Sequence, residues 1–119
     1  MKQPLAAPAG LILALVIFAA LALYQIQLPG LHNDEAKEAG LQAVQIVNGL
    51  PVDSFRGATL SIAGRKFPLM AQDYIGAFNI YLSVPFVALL GATPLAVRLP
   101  LILIGLLILV LIYLLLARM

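Results

Sequence analysis

The run LPLILIGLLILVLIYLLLA, residues 99–117, holds no charged side chain and is bracketed by Arg98 and Arg118. A helix needs about 20 apolar residues to cross the hydrocarbon core of a bilayer. Composition extends the same constraint to the whole chain. Of its 119 residues 63% are hydrophobic and 10% charged, whereas soluble domains are about a quarter charged. A domain this small buries only a modest share of its surface, so it has no interior large enough for so much apolar area. The expected class is an all-α membrane protein with three transmembrane helices and an amphipathic helix in the long first loop.

The first span is expected over 9–28, with Tyr24, Gln25 and Gln27 near the far interface. Lys2 and the small residues Ala20–Ala22 also fit a signal peptide. Apolar character continues past Ala22 to Leu28, which favours a retained span. The second span is expected over 74–91, with Pro85 kinking it. GATP at 91–94 is the turn that ends it, and the third span comes next over 97–117 with Pro100 in its first turn.

The segment 29–73 is long for a mere connection. Its first half reads as an amphipathic helix over 34–49. Ala36, Ala39, Ala43, Val44, Val47 and Leu50 form the apolar stripe, with Lys37, Glu38, Gln42 and Gln45 mostly off it. Asn33 or Asp34 is the expected N-cap, and Gly49 with Pro51 after it the stop. Such a helix can lie on the membrane surface or pack on other spans. The second half, ATLSIAGRKFPLM, alternates weakly around Ala63-Gly64 and reads as a short hairpin.

Several chemistries are excluded. With no cysteine there are no disulfides, thiolate metal sites or cysteine nucleophiles, and with one histidine there is no multi-histidine metal site within the chain. The seven basic residues are scattered and form no patch for nucleic acid. Phosphate-binding glycine loops, zinc motifs and nucleophile elbows are absent.

The acidic pair Asp34-Glu35 is the remaining candidate for chemistry. Acids at a helix start complement the positive end of its dipole. A carboxylate just outside a span can also accept a proton from an attacking hydroxyl as a general base. Arg65 and Lys66, and Arg56, suit contact with a phosphate, although a solvated turn is the favoured reading of them. His32 and Asp73 read as interfacial polar residues, and Arg98 as an anchor that snorkels at the mouth of the third span.

Three segments, NDEA opening an amphipathic helix, PLMAQDYIGAFNIYLSVPF, and GATPLAVRLP leading into the last span, occur in the order span, helix, loop, span, span. This order resembles the N-terminal portion of GT-C fold membrane glycosyltransferases, over most of the chain from Leu11 onward. That group includes protein O-mannosyltransferases, aminoarabinose transferases acting on lipid A, and bacterial relatives like dolichyl-phosphate-mannose-protein mannosyltransferases. The resemblance implies transfer of a sugar from a polyprenyl-phosphate-linked donor to an acceptor on the outer face of a bacterial or archaeal cell membrane. Asp34 would then be the base acting on the acceptor hydroxyl, with inversion at the anomeric carbon. Glu35 would assist by hydrogen bonding or by helping to hold a cation. No cofactor is expected, and a divalent cation is used by some members of the wider fold and not by others.

Members of that fold have many more spans. The chain is therefore expected to be a fragment or divided piece, inactive alone and completed by further spans or by a partner membrane protein. The rival expectation is a non-catalytic three-span subunit or assembly factor. Lys37, Arg56, Arg65 and Lys66 in the long loop favour it, because the positive-inside rule taken alone puts that loop in the cytoplasm.

Overall fold

The computed structural model describes residues 8–118. Lys2, on which the signal-peptide alternative rests, lies outside the described residues. The elements in order are α1 (Pro8–Leu23), α2 (Asn33–Glu35), a π-helical segment (Ala36–Gly40), α3 (Leu41–Val47), a 3-10 turn (Phe55–Gly57), β1 (Thr59–Ile62), β2 (Arg65–Pro68), α4 (Phe78–Leu90) and α5 (Pro94–Leu116). The chain is thus mostly helical, and the all-α expectation is corrected by one two-stranded sheet. The chain forms two compact units, one of residues 8–26 with 101–118 and the other of 27–100.

In the first unit, α1 and the later turns of α5 meet where the Phe18 ring lies over Gly105. A Cβ on Gly105 would come within 2.5 Å of the Phe18 Cζ, so the missing side chain is what lets the ring seat there. The 23-residue α5 is long and apolar enough to cross a membrane, and only 6% of its most apolar window is buried. That window is therefore not packed inside the described residues. The 16-residue α1 and 13-residue α4 are shorter, rising roughly 24 and 20 Å at 1.5 Å per residue against a hydrocarbon core of about 30 Å.

The bounds differ from expectation for local reasons. Helix α1 stops at Leu23 although apolar residues run on to Leu28. Gln25 takes a positive φ of 50°, and Pro29 disfavours helical backbone at the residue before it. Helix α4 starts at Phe78 because the preceding chain is engaged in the Met70–Gly76 bridge and in turns. Pro85 sits inside α4, which runs on through it. Helix α5 starts at Pro94, six residues before the proline expected in its first turn. Gly91 supplies the reversal with a φ of 75°, and Thr93 Oγ1 accepts from the Ala96 N–H at 3.2 Å as a cap. Pro94 then takes the position where a missing N–H is harmless, and Pro100 lies buried within the helix.

The second unit is built on the packing of residues 33–47 against α4. Its core holds Ala43, Ala77, Ile80, Val87 and Ala96, with Val44, Ile46, Val84 and Phe86 packed on it. Small residues permit the close approach. A Cβ on Gly40 would stand 3.3 Å from Leu31 Cδ1 and 3.5 Å from Val97 Cγ2. The π-helical segment has more residues per turn than the α-helix used to draw the expected stripe, and it rotates α3 relative to that stripe. Ala39, Gly40, Gln42 and Ala43 are buried, while Leu41, Val47 and Leu50 are exposed. Gln42, expected off the stripe, is therefore inside.

Gly49 ends the helix as expected, in the left-handed region at φ 65°. The hairpin is also where the alternation placed it. Thr59 pairs with Pro68, Leu60 with Phe67, Ser61 with Lys66 and Ile62 with Arg65. Ala63 and Gly64 both have positive φ, 51° and 76°, the backbone of a tight two-residue hairpin turn. Tyr81 Oη donates to the Pro68 carbonyl at 2.6 Å and ties the base of the hairpin to α4.

Candidate functional site around Asp34 and Glu35

The helix that carries the acidic pair is capped by His32, not by Asn33 or Asp34. His32 Nδ1 accepts from the Asp34 N–H at 3.5 Å, and the His32 N–H donates to Glu35 Oε2 at 2.9 Å. This is a capping box with histidine in the first position. An imidazole nitrogen can accept as a hydroxyl does, but histidine is not among the usual cap residues, so the sequence pattern pointed one or two residues late.

Glu35 is held from a second direction. Arg98 Nε donates to Oε1 at 2.9 Å and an Arg98 terminal nitrogen donates to Oε2 at 2.7 Å. Two parallel N–H···O bonds of this kind are the strong, geometrically specific form of a carboxylate–guanidinium pair. The same guanidinium donates to the Pro29 and Gly30 carbonyls at 3.2 Å each. Arg98 therefore staples the chain entering the helix, the acid in its first turn and the start of α5. It is not the lipid-facing anchor that the sequence suggested. Hydrogen bonding from Arg98 holds the Glu35 carboxyl below its ordinary value; burial opposes this, and the His32 N–H adds to the lowering.

Asp34 has no such restraint. Its side chain is 67% exposed, and His32 Nδ1 stands 3.8 Å from Oδ2. It lines a cleft of about 390 Å³ together with Lys37, Gln42, Ser54, Gln72 and Asp73. Gln72 Nε2 donates to Glu38 Oε1 at 3.1 Å across the loop. The side-chain amide oxygens (Oε1) of Gln42 and Gln45 are buried without a hydrogen-bond partner. Asp73, expected as an interfacial residue, pairs with Arg56 at 3.6 Å on the exposed surface, with the Arg56 guanidinium 5.1 Å from the Phe55 ring centre. Such exposed pairs add little stability.

Arg65 and Lys66 are not beside Asp34. They line a separate groove of about 530 Å³, with Ile46, Leu50, Val52 and Phe67. Asp53 contributes to both depressions. Among the described residues no group of three or more histidine, cysteine, aspartate or glutamate side chains is placed to hold a metal ion.

The arrangement divides the acidic pair. Glu35 is ionised, doubly hydrogen-bonded and fixed, while the exposed Asp34 side chain stands outside the Arg98 staple at the edge of a polar cleft. A fixed neighbour holds the backbone of Asp34 in place without consuming its acceptor capacity. The residue that sequence reasoning missed is Arg98. Its signal was present in GATPLAVRLP, one of the segments that carry the family resemblance. Comparisons with models of protein families, with curated proteins and with solved structures find no match to this chain.

Proposed function

We propose that this chain supplies the acidic element of an integral-membrane glycosyltransferase of the GT-C type. In this reading Asp34 accepts the proton of an acceptor hydroxyl as that oxygen attacks the anomeric carbon of a polyprenyl-phosphate-linked sugar. The bond from that carbon to the phosphate oxygen breaks, and polyprenyl phosphate leaves with the electron pair. The observation that carries the reading is the Glu35–Arg98 pair. The resemblance rests on separate segments, NDEA and GATPLAVRLP among them, and this pair joins those two across 63 residues of sequence. A cap alone needs no partner from α5, because the positive end of a helix dipole already favours an acid there. A positioned pair with one member locked and one exposed is what a base beside a structural acid requires.

Membranes that hold the chain together with the spans or partner that complete the enzyme, supplied with a radiolabelled polyprenyl-phosphate sugar, test the assignment. Asp34→Asn removes the base at nearly constant size. The expected result is loss of transfer to the background rate; transfer at the wild-type rate would overturn the assignment.

The loop's basic residues favour a second reading, a non-catalytic membrane subunit with this loop in the cytoplasm. The native chain has no cysteine, so Ser61→Cys gives a single label site on the exposed hairpin. Labelling in intact cells by an impermeant reagent supports the glycosyltransferase reading. Labelling only after lysis supports the subunit.

A further inference from the structure

The β1–β2 hairpin keeps a set of apolar side chains out of the core. Residues paired directly across an antiparallel ladder share a face, and alternate residues along a strand return to it. Leu60, Ile62, Phe67 and Arg65 therefore lie on one face, by the register Leu60 to Phe67 and Ile62 to Arg65. Leu60 is 50% exposed and Ile62 54% exposed. Leu50, 54% exposed, belongs to the groove that Phe67, Arg65 and Lys66 also line. The apolar set is thus continuous from the hairpin into a groove floored by Ile46 and Val52.

Charge on this element has one sign. From residue 54 to residue 72 the charged side chains are Arg56, Arg65 and Lys66, with no acid among them. Arg56 is paired with Asp73. Asp53 is the acid on the groove's lining. Exposed leucine and isoleucine beside the Arg65 cation on the same face match the chemistry of an interface that is apolar within and anionic at its rim. A soluble anion would use the cations and leave Leu60 and Ile62 in water. A purely apolar partner would use the leucines and leave Arg65 at its edge unmatched.

We infer that this face of the hairpin docks on the surface of a bilayer containing anionic lipid. Leu60, Ile62 and Leu50 enter the boundary between headgroups and acyl chains, and Arg65, on the same face, meets the lipid phosphates, whereas Lys66, paired with Ser61, is on the other face. Arg65, which the sequence offered for contact with a phosphate, thus has bulk lipid as its partner, and the inference does not rest on the glycosyltransferase reading. The two-residue turn and the Tyr81–Pro68 bond hold the hairpin as a preformed wedge.

The chain has no tryptophan, so single substitutions report position directly. Leu60→Trp, Ile62→Trp and Ser61→Trp, each at an exposed site, are made in the full chain and reconstituted in phosphatidylglycerol vesicles. Quenching by lipid brominated near the headgroup is then measured. The expected result is severalfold stronger quenching at 60 and 62 than at 61, which lies on the opposite face. It weakens when phosphatidylcholine replaces phosphatidylglycerol, or when Arg65→Gln is added, and less when Lys66→Gln is added on the opposite face. Equal quenching at all three sites, or ready quenching of 60 and 62 by aqueous iodide, would overturn the inference. So would shielding of 60 and 62 in native membranes that is absent in pure lipid vesicles, since that outcome assigns the face to a protein partner.

Discussion

Arg98 grips both carboxylate oxygens of Glu35, at 2.9 and 2.7 Å, from a position 63 residues further along the chain. The Arg98 side chain is 19% exposed and the Glu35 side chain 35% exposed, so the pair is screened less than a surface contact and desolvated less than a core one. Removing one partner leaves the other short of its hydrogen bonds. Arg98→Ala is expected to cost about 2–3 kcal/mol. Arg98→Lys should recover little of that, because an ammonium cannot present the fork. Thermal unfolding in detergent checks both, and the double variant with Glu35→Ala should cost less than the sum of the single changes.

Acid should weaken the same contact in a defined window. The folded-state pKa of Glu35 lies below 4.5, the ordinary value, chiefly because of Arg98. As pH falls, the unfolded chain therefore takes up the proton first, and stability drops. The contribution of the pair is fully present above pH 4.5 and is lost as pH falls through the lowered folded value. The difference in thermal midpoint between wild type and Glu35→Gln should be constant from neutrality down to that point and close below it. A difference that begins to close near neutrality would point to another titrating group.

Within the unit of α1 and the later turns of α5, Gly105 is the position least able to accept a side chain, because Phe18 occupies its space. Gly105→Ala meets only the far end of the ring, which can tilt, and should be mild. Gly105→Leu should cost about 1–3 kcal/mol by overpacking. Adding Phe18→Ala should recover a large part of the Leu penalty, read as a rise in thermal midpoint over Gly105→Leu alone.

The legible part of the fold was local. The helix over 33–47, its stop at Gly49, the Ala63-Gly64 hairpin and the long apolar α5 each arise from patterns within a window of a few residues. Features that depend on partners from elsewhere were not legible. The burial of Gln42 depends on a π-helical segment that a fixed helical period does not contain. The role of Arg98 depends on a contact spanning most of the second unit, and in isolation an arginine at the head of an apolar helix reads as an interfacial anchor. His32 was passed over as a cap because residue preference ranked its neighbours higher. Of the candidate site, the acidic pair was visible from sequence. Its division into a fixed and an exposed member became visible only through the geometry, as did the separation of Arg65 and Lys66 from it.

That division is the central claim, and it is tested by measuring sugar transfer and thermal stability together on Asp34→Asn and Glu35→Gln. The account predicts that Asp34→Asn loses transfer while its unfolding midpoint stays at the wild-type value, since its carboxylate takes no part in the Arg98 staple. Glu35→Gln should lower the midpoint and lose transfer only in part, through a loosened base. Retained transfer in Asp34→Asn, or a midpoint that falls for Asp34→Asn and not for Glu35→Gln, would contradict it.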